Sequence, residues 1–260
     1  MVTRIGMFDS GVGGLTVLNA FRKAFPKADI HYVGDTLHMP YGDKSPEKIQ
    51  EFSRQIARYL CSQGAELIVI ACNSASSWAY QEVCDAAGPI PVLDVVRPVV
   101  RFLANSPQLT QVGLIGTRAT IQSGIYPTLL KAAAPQIHVE ALPTPLLAPL
   151  VEEAIELREL NRLLIAHYIH QLNTESIQAL VLACTHYPVL QDIFVEVVGP
   201  NIQVLNPGEV LAEECRLNGM NFEGTGSLRC EITEYTQAFE KTAERLLGQP
   251  IQLKTVQLPA

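Results

Sequence analysis

Basic residues are scarce in this sequence, and they are not clustered. The 260 residues include 19 Lys and Arg against 26 Asp and Glu, which gives a formal net charge of -7, and no four basic residues follow one another. Binding to a nucleic-acid backbone depends on clustered positive charge. We therefore expect no direct contact with nucleic acid, whereas a small anionic substrate is compatible with this composition.

Long apolar runs are also absent. No stretch approaches the roughly 20 residues that span a bilayer, and the N-terminal sequence MVTRIGMFDSG lacks the apolar centre of a signal peptide. The 48% of apolar residues lie in short runs of the kind found in buried strands. We expect a cytoplasmic globular protein that does not associate with membranes.

The cysteines show no C-x-x-C spacing, which argues against a zinc ribbon and against a thiol–disulfide oxidoreductase. A chain of this length can bury a core without disulfides, so reduced thiols are expected. The sequence has six cysteines. For four of them we expect only a packing role: Cys61, Cys84, Cys215 and Cys230. The other two are Cys72 and Cys184.

Short apolar runs alternate with longer helical patterns along the chain. The spacing predicts strands at 5–8, 30–33, 67–71, 111–116, 137–141 and 179–183, and helices that include 15–25, 46–63 and 151–171. The runs at 67–71 and 179–183 are continuously apolar, which is typical of parallel strands covered on both faces. This order predicts an α/β fold with doubly wound parallel sheets.

The two halves of the sequence are similar to each other. Residues 67–73 (LIVIACN) correspond to 179–185 (ALVLACT), and 6–10 correspond to 113–117. A duplicated unit predicts two pseudo-symmetric domains with the active site in the cleft between them. We place the first domain at 1–97 plus 208–260 and the second at 98–207. One crossing would lie in 89–98, the return would lie in 206–208, and the C-terminal helices would pack on the first domain.

Cys72 and Cys184 occupy equivalent places in these halves. Each directly follows a buried run, at the carboxyl edge of a parallel sheet where ligands bind. Pseudo-twofold symmetry would bring both thiols into one cleft from opposite sides. A single buried cysteine is more often a small packing residue, but two at equivalent points beside polar side chains favour a functional pair.

A pair of opposed thiols suits the inversion of a carbon that carries an acidic hydrogen. One group removes the proton from one face while the other delivers a proton to the opposite face, so each serves as acid in one direction and base in the other. A thiol needs a neighbour that helps it to ionise. The candidates are Asp9 and His186, for which a helix cap and a surface turn are the alternative explanations.

The glycine-rich turn at 11–14 matches only the start of a dinucleotide-binding loop. Thr16 stands where the third glycine is required, and there is no Gly-Lys-Ser/Thr loop. The N–H groups of such a turn suit a carboxylate, with further donors at 73–74 and 185–186. His167 and His170 lack an acidic third ligand, so no metal site is expected. The sequence also shows no pyridoxal phosphate motif, so no cofactor is expected.

Several segments together resemble one enzyme family. Residues 8–15 (FDSGVGGL), 34–36 (GDT), 40–42 (PYG), 71–76 (ACNSAS), 149–153 (PLVEE) and 184–188 (CTHYP) are similar to the motifs of bacterial glutamate racemases, in the same order and spacing. The resemblance extends from about residue 5 to 209. It implies a cofactor-independent racemase of the aspartate/glutamate racemase superfamily that provides D-glutamate for peptidoglycan. The oligomeric state varies among relatives, so a homodimer is left open.

The resemblance also implies roles for individual residues. Cys72 and Cys184 would be the acid/base thiols, Asp9 would assist the first and His186 the second, and Glu152 would lie near that histidine. The implied substrate contacts are Asp9, Ser10, Tyr41, Gly42, Asn73, Ser74, Thr117, Thr185 and His186. Because no cofactor would ease proton removal, we expect a closed, water-poor cleft and domain motion on binding.

The sequence departs from the family pattern in a few places. Ser74 replaces the usual threonine but keeps a hydroxyl, and 93–98 and 206–207 differ near the proposed crossings, which concerns domain packing more than chemistry. The chain begins almost at the first strand, so we expect no activation by a peptidoglycan precursor of the kind that uses an N-terminal extension. The alternative functions are racemisation of aspartate and a non-catalytic role in binding DNA gyrase.

Overall fold

Each half of the chain contributes one parallel β-sheet. The computed structural model describes residues 4–153 and 157–259. The strands in these residues are β1 (Arg4–Asp9), β2 (Asp29–Gly34), β3 (Leu67–Ile70), β4 (Val92–Asp94), β5 (Gln111–Gly116), β6 (His138–Pro143), β7 (Ala179–Ala183), β8 (Gln203–Leu205), β9 (Leu228–Ile232) and β10 (Leu253–Thr255). The first sheet has the order β10-β9-β2-β1-β3-β4 and the second has the order β6-β5-β7-β8.

Helices connect and cover these strands. They are α1 (Leu15–Ala24), α2 (Pro46–Ser62), α3 (Asn73–Trp78), α4 (Tyr80–Ala87), α5 (Arg97–Ala104), α6 (Arg118–Gln122), α7 (Ile125–Ala133), α8 (Leu147–Glu152), α9 (Arg158–Ile169), α10 (Gln191–Val198), α11 (Pro207–Leu217) and α12 (Gln237–Leu247), with 3-10 turns at Tyr41–Asp43 and Tyr187–Leu190. The start of α2 is as predicted, because Ser45 caps the amide of Lys48 and Pro46 occupies the first turn.

The two sheets repeat one strand order. In the first, β2-β1-β3-β4 are neighbours, and in the second the corresponding strands are β6-β5-β7-β8, all in parallel register. Every residue of β3 and of β7 is buried, as expected for central strands covered by helices on both faces. The prediction of two related parallel-sheet α/β units is therefore confirmed.

The predicted long helix at 151–171 is wrong. Helix α8 starts earlier and ends at Glu152, and α9 starts at Arg158 after Leu157, whose ψ of 86° is not helical. Residues 154–156 lie outside the described part of the chain. The apolar periodicity runs through the break without glycine or proline. The two helices pack on different partners, α8 on the turn at Tyr187–Leu190 and α9 on α10, so tertiary packing outweighs local helix propensity.

The segment 89–98 is more than a crossing. It contains the short edge strand β4, which pairs with β3, and its last two residues begin α5. Strands β8, β9 and β10 were also missed, because a strand of three to five residues is too short to give a clear periodic signal. Helices α11 and α12 both pack against α1, and α11 also contacts α5. The limits 1–97 plus 208–260 and 98–207 remain a prediction.

Two further observations concern the whole described chain. None of its helices combines the length and the apolar composition that a membrane span requires. All six cysteines are free thiols, of which Cys61 and Cys84 are partly exposed and the other four are buried.

Candidate active site

The ends of three strands bring the predicted chemical groups together. Asp9 is the last residue of β1, and Cys72 lies two residues past the end of the neighbouring strand β3. Cys184 directly follows β7 in the second sheet. Each cysteine is 4% exposed and Asp9 is fully buried. Parallel strands thus deliver these side chains to the carboxyl edge of their sheets, where the pattern of the sequence placed them.

Both thiols line a single cavity of about 20 Å³. Residues from the two halves of the chain surround it: Ser10, Pro40, Tyr41, Gly42, Cys72, Asn73, Ser74, Thr117, Ala148, Cys184, Thr185 and His186. All the predicted site residues are among them except Asp9 and Glu152. Asp9 accepts a hydrogen bond from the lining residue Thr185, and Glu152 forms an ion pair with the lining residue His186. Pro40 and Ala148 were not predicted, since an apolar side chain at such a position carries no chemical signal.

The surroundings of Cys72 favour its neutral form. Its Sγ lies 3.7 Å from the Oγ of Ser10. Burial raises the pKa of the Cys72 thiol, and the negative charge of Asp9 raises it further. Burial also raises the pKa of Asp9, although the positive charge of His186 and hydrogen bonds from the Gly11 amide and Thr185 act in the opposite direction. A carboxyl group with a raised pKa can exchange a proton with a nearby thiol.

Cys184 has a different partner. Its Sγ lies 3.6 Å from Nδ1 of His186, and Nε2 of the same ring lies 3.0 Å from Oε1 of Glu152. The contact between His186 and Glu152 is an ion pair, but its geometry is not that of a hydrogen bond. Burial lowers the pKa of His186, but the contacts with Cys184 and Glu152 outweigh burial and raise it well above its usual value. The imidazolium can therefore stabilise a thiolate at Cys184.

Two glycines permit the close contact between the halves of the chain. A Cβ on Gly13 would lie 2.5 Å from Thr185 Oγ1 and 2.7 Å from His186 Nδ1. A Cβ on Gly42 would lie 2.8 Å from the Cβ of Thr117. Only glycine fits at positions 13 and 42, because the two halves of the chain approach each other closely there. This accounts for the glycine in two of the sequence motifs.

Hydroxyl groups join the halves on the other side of the cavity. Ser74 Oγ lies 2.9 Å from Thr117 Oγ1 and 3.3 Å from Thr120 Oγ1. Thr117 also caps α6 by accepting a hydrogen bond from the amide of Thr120. Thr120 was not predicted, although its place three residues after a threonine cap was a usable signal.

A second set of unpredicted residues fixes the turn that carries Tyr41 and Gly42. The Tyr41 hydroxyl donates to Oδ2 of Asp35 at 2.6 Å. Oδ1 of the same buried carboxylate accepts from Thr233 at 2.9 Å, and His38 Nδ1 lies 3.0 Å away. Asp35 belongs to the GDT motif, so the sequence marked it, but its contact with Tyr41 depends on the fold.

The other features of the surface do not compete for this assignment. A groove of about 640 Å³ lies between α5 and α11, remote from both thiols. In its lining, Arg101 is paired with Glu214, and Glu213 is paired with Arg216. Among the described residues, no group of three or more His, Cys, Asp or Glu side chains is arranged to hold a metal ion. The small cavity between the thiols is therefore the candidate active site.

Comparison with known proteins agrees with this geometry. The profile of the Asp/Glu/Hydantoin racemase family matches residues 15–215. The chain is 37% identical to the glutamate racemase of Persephonella marina, over 98% of this chain and 97% of the relative. It is 36% identical to the glutamate racemase of Aquifex aeolicus, over 96% of each chain.

Solved structures give the same result. A glutamate racemase isoform from Bacillus anthracis superposes with a TM-score of 0.91 and 32% identity, over 99% of this chain and 98% of that one. The glutamate racemase of Francisella tularensis in complex with D-glutamate superposes with a TM-score of 0.89 and 32% identity, over 98% and 97%. The chain therefore belongs to the Asp/Glu/Hydantoin racemase family and is an amino-acid racemase.

Proposed function

We propose that this enzyme interconverts L- and D-glutamate by proton transfer between the α-carbon and two cysteines, Cys72 and Cys184. The observation that carries the proposal is that Cys72 and Cys184 line one cavity. The charge of Asp9 acts on Cys72 and His186 Nδ1 lies 3.6 Å from the Sγ of Cys184, which supports Asp9 and His186 as the assisting groups. Two opposed acid/base groups are what inversion of a carbon acid requires. This arrangement also favours catalysis over a non-catalytic gyrase-binding role.

The proton balance closes without a cofactor. In one direction the thiolate of Cys184, stabilised by the His186 imidazolium, takes the α-proton and becomes a thiol. The thiol of Cys72 then gives its proton to the opposite face of the carbanion and becomes a thiolate. Before the next turnover in this direction, Cys72 regains a proton from solvent by way of Asp9, and Cys184 releases the abstracted proton to solvent. The reverse direction uses the same groups with the roles of the two cysteines exchanged, and Glu152 holds the imidazolium in both directions.

The cavity suits the carboxylates of an amino acid. Its lining offers hydrogen-bond donors from Ser10, Asn73, Ser74, Thr117 and Thr185, and none of its described lining residues is Lys or Arg. Amide, hydroxyl and backbone N–H donors can hold an anion and spread the charge of a developing carbanion. An acidic protein with few cations can therefore bind an acidic substrate in this way.

Relatives favour glutamate over aspartate as the substrate. The proteins that align with most of this chain at 34–39% identity are named glutamate racemases. The aspartate racemase of Picrophilus torridus is 21% identical with a TM-score of 0.63, which shows a shared fold alone. We further propose that the D-glutamate serves peptidoglycan synthesis and that the enzyme works in the cytoplasm.

The proposal is tested by optical rotation or circular dichroism of L-glutamate incubated with the purified enzyme, without added cofactor. We expect the optical signal to fall to zero as the two enantiomers become equal in concentration. The rate with L-aspartate should be at least about 100-fold lower, because its side chain is one methylene group shorter than that of glutamate. Cys61→Ala, which alters a cysteine outside the cavity, should match the wild type. Faster turnover of aspartate, or no change with glutamate, would overturn the proposal.

A further inference from the structure

In the described part of the chain, the side-chain amide of Asn73 has a hydrogen-bond partner for its oxygen but none for its nitrogen. Its Oδ1 accepts a hydrogen bond from the hydroxyl of Tyr126 at 2.9 Å. Its Nδ2 is buried and has no hydrogen-bond partner among the described residues. Asn73 lines the cavity between the thiols. The half of its amide that has no such partner is the NH2 group, which is a hydrogen-bond donor. A buried donor without a partner is costly, and a ligand that accepts from it removes that cost.

Tyr126 is held firmly by its own half of the chain. It lies on α7, is 1% exposed, and its ring packs in the core that includes Val99, Leu103 and Leu130. The ring therefore fixes where the hydroxyl lies. Asn73 begins α3 in the other half, directly after Cys72, so this hydrogen bond joins the two halves behind the site.

An asparagine amide can present either its oxygen or its NH2 group, because rotation about the terminal bond has two broad minima. The Tyr126 hydroxyl donates to Oδ1, and this hydrogen bond stabilises the orientation in which Nδ2 has no acceptor in the part of the protein that the structure describes. The opposite orientation would present an oxygen to a carboxylate and repel it.

We infer that Tyr126 is a positioning residue that orients the Asn73 amide so that Nδ2 donates to a carboxylate oxygen of the substrate. This inference rests on the proposed function, since it needs an anionic substrate in the cavity. It assigns to Tyr126 an effect on substrate binding and no part in the proton transfers at Cys72 and Cys184.

The test is a double-mutant cycle with Tyr126→Phe and Asn73→Ala. Phenylalanine keeps the ring and removes only the hydroxyl. The dissociation constant for D-glutamate is measured by calorimetry for all four proteins, together with KM and kcat where turnover permits. Tyr126→Phe should raise KM and the dissociation constant roughly tenfold, since a hydrogen bond to a charged group is weakened, and should leave kcat within about threefold. In the Asn73→Ala background the same change should have no further effect.

Two controls separate orientation from general damage. Tyr59→Phe removes a phenol hydrogen bond of similar length, to Glu231 at 2.7 Å, away from the cavity, and should leave KM unchanged. Asn73→Asp keeps an acceptor for Tyr126 but replaces the Nδ2 donor with oxygen, so it should weaken binding at least as much as Asn73→Ala even if Tyr126→Phe fails to fold.

Several results would overturn the inference: a wild-type KM in folded Tyr126→Phe, equal effects of Tyr126→Phe in both backgrounds, or undiminished binding in Asn73→Asp. Wild-type protein that fails to racemise glutamate would instead refute the proposed function, and the inference with it. Normal wild-type turnover with unaffected Tyr126→Phe refutes only the role of Tyr126.

Discussion

Thr185 donates a hydrogen bond from Oγ1 to Oδ2 of Asp9 at 3.1 Å, across 176 residues of sequence. The residue that follows one thiol thus holds the carboxylate that lies beside the other. The carbonyl of Thr185 also accepts from the hydroxyl of Thr16 at 2.9 Å. The two halves of the site are therefore in direct contact.

Gly13 is the position where this contact is most sensitive to added volume. Gly13→Ala places a methyl group within 2.8 Å of the His186 ring and 2.5 Å of Thr185 Oγ1, so both side chains must shift. Since a displacement of about 1 Å can cost roughly 100-fold in rate, we expect kcat to fall by about that factor. Steady-state kinetics together with a thermal unfolding curve check this expectation.

Gly34→Ala is the matched control for Gly13→Ala. Its added methyl group would meet only ordinary contacts at 3.4 to 3.5 Å, from Gly11, Phe239 and Ile232, so kcat should stay within about threefold of the wild type. If Gly13→Ala were as active as Gly34→Ala, the close approach of the halves would not matter for catalysis.

Glu152 should determine how activity depends on alkaline pH. The Cys184 and Glu152 contacts raise the pKa of His186, so the imidazolium is present below that pKa and is lost as pH rises through it. Glu152→Gln removes one of these contacts and lowers the pKa of His186. The decline of kcat on the alkaline side should then begin at a lower pH than in the wild type, with kcat roughly tenfold lower along that limb.

The neighbouring exposed residue provides the control for this pH profile. Glu153→Gln removes the same charge one residue further along, where no contact with His186 occurs, and should reproduce the wild-type profile. An unchanged alkaline limb in Glu152→Gln would show that this carboxylate does not sustain the imidazolium.

The cleft must widen to admit a substrate. A cavity of about 20 Å³ holds no more than about one water molecule. The single tryptophan reports on this change, because Trp78 Nε1 donates to the carbonyl of Ala119 on the other half at 2.8 Å. Titration with D-glutamate should shift the tryptophan emission to longer wavelength, while sodium chloride at equal ionic strength should not. Emission that does not respond at saturating D-glutamate would argue against opening.

The fold could be predicted largely from the sequence where burial is continuous. The central strands β3 and β7 are buried along their whole length, so their short, continuously apolar runs indicate buried parallel strands. The edge strand β4 is three residues long and gives no such signal. The end of α8 at Glu152 was missed because it depends on how α8 and α9 pack on other elements.

The chemical groups of the site could be predicted better than the residues that hold them. Cys72, Cys184 and Asp9 follow strand ends, where polar residues after apolar runs indicate a ligand edge. Tyr126 and Asp35 act through contacts between distant segments, which a single sequence does not record. Gly13 was noted as part of a glycine turn, but its contact with the His186 ring required the three-dimensional structure.

The two-thiol mechanism is tested most directly by the source of the α-hydrogen in the product. L-Glutamate is incubated with the enzyme in deuterated water, and at low conversion the isotope at the α-carbon of each separated enantiomer is measured. Two opposed thiols predict D-glutamate that carries deuterium and L-glutamate that keeps its original hydrogen, with no racemisation by Cys72→Ala or Cys184→Ala. D-Glutamate that retains the original hydrogen, or full activity in either alanine variant, would contradict it.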